Sequence, residues 1–141
     1  MKAHARVFSF EKDAKADEVK ARLGAVNPGC VVQTAGGGMI RNVALAEMLA
    51  AQTFQAESSG RLLAKKPEVD LLLRLAGTTQ ISKAIKEGGA RAGEPFILIV
   101  AGLSHVKGIP GLRGRELPRS RLTEQELARI ERAALLDAAR S

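Results

Sequence analysis

The sequence predicts an α/β (α+β) fold: a single two-layer domain in which a small mixed sheet packs against helices. Three observations predict it. Short stretches of strand periodicity are spaced among helical ones, no internal repeat or long series of hairpin turns is present, and 141 residues suffice for one core. One domain is therefore expected across 1–141. An apolar fraction of 45% with 26% charged residues excludes wholesale disorder. The longest apolar run, Phe96 to Gly102, is seven residues, whereas a membrane span needs about 20. The first ten residues form no apolar leader core, so a cytoplasmic protein without membrane contact is expected.

The elements follow in order. Arg6 to Phe10 alternates as a strand does. A helix capped by Asp13 should follow, with Asp17 and Glu18 in its first turns, Ala16, Val19 and Leu23 as its buried stripe, and Lys20 and Arg22 near its end at Gly24. After Pro28 and Gly29, the residues Cys30, Val31 and Val32 read as a second, buried strand. Gly36, Gly37 and Gly38 lead into a helix with Asn42 as its cap and Val43, Ala46, Leu49, Ala50 and Thr53 as its apolar face. Pro67 opens a third helix in which Leu71, Leu72, Leu73 and Leu75 cover nearly every side, leaving Arg74 to reach an edge, and Gly77 closes it. Thr78 or Thr79 should cap a fourth, with Ile81, Ala84 and Ile85 inward, Lys83 and Lys86 outward, and Gly88 and Gly89 at its end. Phe96 to Ala101 is apolar throughout, which suits a central strand covered on both faces. The stretch 103–122 reads as a functional loop or as holding one short helix. Thr123 and Glu126 then form a capping box for a last helix with Leu127, Ile130, Ala134 and Leu135 as its stripe.

Charge narrows the function. The net charge is +7, and the stretches 1–60, 61–122 and 123–141 carry +1, +7 and −1, so the middle of the chain holds the whole excess. Such a surface favours anionic partners, nucleic acid above all. Tyr and Trp are absent, and Phe8, Phe10, Phe54 and Phe96 fall on strands or on an inner helix face. Aromatic stacking platforms for RNA bases cannot be built, which leaves Arg and Lys on phosphates beside aliphatic surface.

Catalytic groupings are sparse. Gly36 to Gly38 lacks the Gly-Lys-Ser/Thr of a P-loop and the spaced glycines of a dinucleotide site, so a plain connection is expected there. The carboxylate pairs Asp17/Glu18 and Glu68/Asp70 fit helix N-termini. Ser104 and His105 adjoin but should point apart, with His105 a partly buried structural histidine. The single cysteine, Cys30, cannot form an internal disulfide, and with His4 and His105 it makes no zinc cage. No catalytic, metal or cofactor site is expected.

The stretch Leu71 to Ile85, a Leu-rich helix, Ala76-Gly77, two residues, then Gln80-Ile81-Ser82-Lys83-Ala84-Ile85, resembles the small kinase-binding subunit of the KEOPS complex, the PRPK-binding protein family. The basic stretch Arg61 to Lys66 before it, and Ile130 to Leu136 near the C-terminus, resemble the same family in the same order. The likeness is sharpest over 61–101, extends to 123–139 and is faint over the first 60 residues. It implies a non-catalytic subunit of the complex that installs threonylcarbamoyl on the adenosine beside the tRNA anticodon. That subunit would bind the KEOPS kinase/ATPase and, through it, the rest of the complex, and would hold tRNA by its 3′ CCA end. Arg61, Lys65, Lys66, Arg74, Thr78, Thr79, Gln80, Ile81 and Lys83 are the tRNA-binding residues the resemblance implies. Many relatives carry Arg where this chain has Thr79, and Arg74, Arg61, Lys65 and Lys66 are expected to compensate. The competing reading is a protein-only regulator of a small kinase that makes no RNA contact.

Overall fold

The computed structural model describes residues 2–140. Strand β1 (His4–Phe10) is followed by helix α1 (Ala16–Val26), β2 (Val31–Gly36), α2 (Val43–Ser58), α3 (Pro67–Ala76), α4 (Ile81–Gly88), β3 (Phe96–Gly102), β4 (Arg115–Glu116) and α5 (Glu124–Arg140). The α+β class is as expected. The sheet is antiparallel throughout, where a mixed one was expected. The cause is the strand order β2-β3-β1-β4. A β1–α1–β2 unit would ordinarily pair its strands in parallel, but β3 inserts between them and runs antiparallel to both.

β3 is buried at every residue, the signature of its unbroken apolar run. Its alternate residues feed two cores. Ile97, Ile99 and Ala101 pack with Val7, Leu45, Leu49 and Leu71 on the side of α2 and α3. Phe96, Leu98 and Val100 pack with Phe8, Phe10, Val19 and Leu23 on the side of α1. Helices thus cover both faces, one layer more than expected. A smaller cluster of Leu63, Leu72, Leu73, Ala84 and Leu136 joins α3, α4 and α5.

Local chemistry explains most boundaries. The Asn42 side chain accepts the Ala44 N–H and caps α2. Pro67 sits in the first turn of α3, and Gly77 ends that helix with φ at +70°. Thr123 and Glu126 exchange both bonds of a capping box.

Several expectations fail. Lys15, not Asp13, holds the cap position of α1 and makes no side-chain cap bond, because a turn bonding the Ala14 N–H to the Glu11 carbonyl delays the helix. Gln80, not Thr78 or Thr79, holds the cap position of α4. Ile81 and Ile85 are exposed instead of facing the core. The α5 stripe is rotated: of the expected residues Ile130 packs against the core, half-buried, but Leu127, Ala134 and Leu135 face solvent, and Ala133 and Leu136 are buried in their place. Cys30 lies just before β2, half-buried. His105 and Ser104 are both exposed, since the chain leaves the sheet after Gly102. The stretch 103–122 contains no helix but adds the two-residue β4. Its ends are pinned by two buried asparagines: Asn27 bonds both backbone groups of Lys107, and Asn42 bonds both of Ser120.

Candidate nucleic-acid interface

Lys66 is the residue before Pro67, so the backbone there must be extended, and its side chain projects from the mouth of α3 beside that of Lys65. Val69, one turn into α3, is half-buried behind them. The left-handed Gly77 turns the chain back so that α4 packs alongside α3. Small residues make that packing close: Gly88 lies against Ala76 and Leu72, and Ala84 is the buried face of α4. The result is a groove of about 580 Å3 lined by Ala64, Lys65, Lys66, Val69 and Ile81.

The groove pairs two kinds of surface. Lys65 and Lys66 are exposed cations on one wall, and Ile81, 48% exposed, is an aliphatic wall opposite. Ile81 is also the first residue of α4, which has no side-chain cap. The Ala84 N–H bonds the Gln80 carbonyl as the first helical hydrogen bond, so the preceding amides of Ile81, Ser82 and Lys83 stand at an open helix N-terminus. Thr78 shapes the approach by accepting the Gln80 N–H at its hydroxyl, 3.1 Å away. Thr79, Gln80 and Lys83 are exposed around it. Cations, apolar surface and unpaired amides suit an unpaired strand carrying phosphates and exposed base faces.

Two expected residues lie elsewhere. Arg74 does not reach an edge. Its side chain is wholly buried and spends its donors on Asp70, Asp137, the Ala133 carbonyl and Gln52. Burial alone pulls its pKa down, but the hydrogen bonds and charges of Asp137 and Asp70 outweigh this and leave it raised. It therefore cannot compensate for Thr79. Asp70, read as a helix-terminus acid, is the buried partner instead, and also accepts the Thr53 hydroxyl and the Leu63 N–H. Arg61 is exposed but lines a different hollow, with Met48, Gln52 and Asp137 between α2 and the end of α5.

One cation was missed. Arg132 of α5 lies directly against Gly77: a Cβ there would sit 2.6 Å from its Nε and 2.8 Å from its Cζ. Arg132 is exposed and, among the described residues, its side chain has no hydrogen-bond or ion-pair partner. Its neighbour Arg129 is half-buried and donates to the carbonyls of Met39 and Leu75. Burial lowers the Arg129 pKa, Glu126 raises it in part, and the charge of Arg132 lowers it further. Arg132 thus supplies positive charge at the root of the turn in which Thr79 has none. Only the spatial proximity of α5 to that turn reveals it, because 52 positions separate Arg132 from Gln80.

Among the described residues no three His, Cys, Asp or Glu side chains converge on a metal-sized site, and no helix is long and apolar enough to cross a membrane. No family model matches the chain. Over 127 residues, spanning 86% of this chain and 71% of the relative, it is 37% identical to the KEOPS complex subunit Cgi121 of Pyrococcus abyssi (strain GE5 / Orsay).

Proposed function

This chain belongs to the family of the KEOPS complex subunit Cgi121, and from that premise we propose that it is a non-catalytic KEOPS subunit that binds the kinase/ATPase of the complex and holds tRNA by its 3′ CCA end. The observation that carries the RNA half is the convergence of Lys65, Lys66 and Ile81 on one groove at the open N-terminus of α4. The lysines take phosphates, the amides of the first turn of α4 take one more, and Ile81 receives a base face that no aromatic residue is present to stack. Arg132, beside Gly77, supplies the cation that the resemblance leads one to expect at position 79, where this chain has Thr79.

The kinase half rests on α5. Leu127 and Leu135 are 47% and 68% exposed, with Ala134 exposed between them, an apolar strip on the side of the helix turned away from the core. A partner that buries this strip removes it from water, and its binding depends little on salt.

The test measures binding of intact tRNA and of tRNA lacking CCA to the wild type, Lys65→Glu and Ile81→Glu. The wild type is expected to bind intact tRNA better, and both variants to bind it poorly while retaining the kinase. A wild type indifferent to CCA that still binds the kinase would favour the protein-only regulator.

A further inference from the structure

Positive charge gathers a second time, at the opposite edge of the sheet. The stretch 103–122 carries Lys107, Arg113, Arg115, Arg119 and Arg121 against Glu116 alone. Glu116 is taken by Arg6, at 2.6 Å, and Arg119 by Glu47. The side chains of Arg113, Arg115 and Arg121 are exposed and, among the described residues, have no hydrogen-bond or ion-pair partner. Arg41, just before α2, is exposed and unpartnered in the same sense.

Backbone pairing fixes where these cations stand. β4 sets Arg115 opposite Ser9, and the Leu117 N–H bonds the Val7 carbonyl at 2.8 Å. Asn42 accepts the Ser120 N–H at 3.0 Å and donates to the Ser120 carbonyl at 3.1 Å, which brings Arg121 beside the segment that carries Arg41. Arg41 and Arg115 consequently line one cleft of about 620 Å3, above Ile40, Ile97 and Leu117. Glu116 lines the same cleft, but its carboxylate is paired with Arg6, so the like charges of Arg41 and Arg115 leave a positive field that an anion relieves.

The kind of anion follows from what the surface lacks. Protein interfaces are built around an apolar centre. Of the large exposed apolar side chains only Leu103 belongs to this stretch, at its far end. A phosphodiester backbone needs cations and no apolar centre. β4 lies three strand spacings, about 14 Å, from β2, against which α3 and α4 pack.

We propose that Arg41, Arg115 and Arg121 form a second, sequence-independent surface for the phosphate backbone of a folded RNA, separate from the groove that takes an unpaired 3′ end. It rests on the RNA-binding reading above and extends it from the end of the molecule to its body.

The experiment compares wild type, Arg41→Gln/Arg115→Gln and Ile81→Glu against intact tRNA, tRNA lacking CCA, and a short single-stranded oligonucleotide ending in CCA, over a range of salt. Thermal melting of both variants is expected to match the wild type. The arginine variant should bind both tRNAs about fivefold to tenfold more weakly, with the slope of log K against log salt reduced by about 2, and should bind the oligonucleotide as the wild type does. An unchanged slope on both tRNAs overturns the proposal, as does an equal loss on the oligonucleotide. Poly-L-glutamate that competes as well as tRNA for the same arginines also overturns it, in favour of an acidic protein partner. The two readings fail separately: a CCA effect without an arginine effect sinks only this one, and an arginine effect without a CCA effect sinks only the groove.

Discussion

Arg74 and Asp70, one helical turn apart on α3, form an ion pair with Nε 2.7 Å from Oδ1 and neither side chain exposed. Asp70 also accepts the Thr53 hydroxyl from α2 and the Leu63 N–H from the basic approach, while Arg74 reaches Asp137 on α5. One pair therefore ties three helices to the segment that carries Lys65 and Lys66.

Removing one partner strands the other. Asp70→Ala leaves the buried guanidinium with the half-exposed Asp137 as its one acidic partner and frees the Leu63 amide, which is expected to cost about 3–5 kcal/mol, a fall in Tm on the order of 12 °C. Asp137→Ala should cost less, about 1 kcal/mol, because its carboxylate is 44% exposed and solvent screens the pair. Asp70→Leu/Arg74→Met should melt above the Asp70→Ala single variant. Equal melting of Asp70→Ala and Asp137→Ala would contradict this ordering.

Gly77 answers two demands at once. Its φ of +70° disfavours any side chain, and Arg132 occupies the space a Cβ would take. Gly77→Ala is expected to cost about 1–2 kcal/mol in backbone strain and to displace the guanidinium from the turn. Arg132→Gln should leave melting nearly unchanged yet weaken tRNA binding and lower its salt slope by about 1. Wild-type tRNA affinity in Arg132→Gln would assign Arg132 to the carbonyl end of α3 alone.

Acid should destabilise the fold through three carboxylates. Glu47 is held below the ordinary range chiefly by its hydrogen bond from Arg119, Glu116 by that from Arg6, and Glu126 by the Thr123 backbone N–H. A folded-state pKa below the unfolded one gives stability that is present above the unfolded value and lost as protons are taken up below it. Tm is therefore expected to hold from pH 7 to about 5 and to fall below about 4. Glu47, with 15% of its side chain exposed against 43% for Glu116, should dominate. Glu47→Gln is expected to lower Tm at neutral pH and to flatten the acid limb in a melting series; an unchanged limb would count against it.

How far the fold was legible depended on whether a boundary is set locally. Pro67, Gly77, Asn42 and the Thr123–Glu126 box act within a few residues of themselves, and each stands where the chain pattern put it. The facing of α4 and α5 was not legible, because periodicity gives a stripe but not what it packs against. In α5 the side turned to the core carries buried Ala133 and Leu136 and half-buried Arg129, with exposed Asp137 at its edge, since Asp137 reaches buried Arg74 and Arg129 reaches the carbonyls of Met39 and Leu75. A rotation of one residue, about 100°, then turns Leu135 outward and Leu136 inward. In α4, packing through Ala84 and Gly88 leaves the larger Ile81 and Ile85 to solvent. The site divided in the same way: Lys65, Lys66 and Ile81 converge, whereas Arg74 was lost to a buried pair and Arg132 arrived from a helix distant in the chain.

That rotation turns Leu135 to a face of α5 away from the groove at Ile81, so single substitutions at these two positions should separate the two proposed activities. Ile81 and Leu135 were both read as core residues and both prove exposed. A carboxylate at either position remains solvated, and each substitution is expected to change stability by no more than about 0.5 kcal/mol. Ile81→Glu places negative charge where phosphate must approach, so tRNA binding should fall while kinase binding persists. Leu135→Glu puts a charge on the apolar strip of α5, where burial against a partner would leave it unpaired. Kinase binding should fall while tRNA binding by the isolated chain persists. Gel filtration with the kinase at low and high salt, and tRNA titration of the free chain, read the two outcomes independently. Loss of both activities in either folded variant would show that one surface serves both partners.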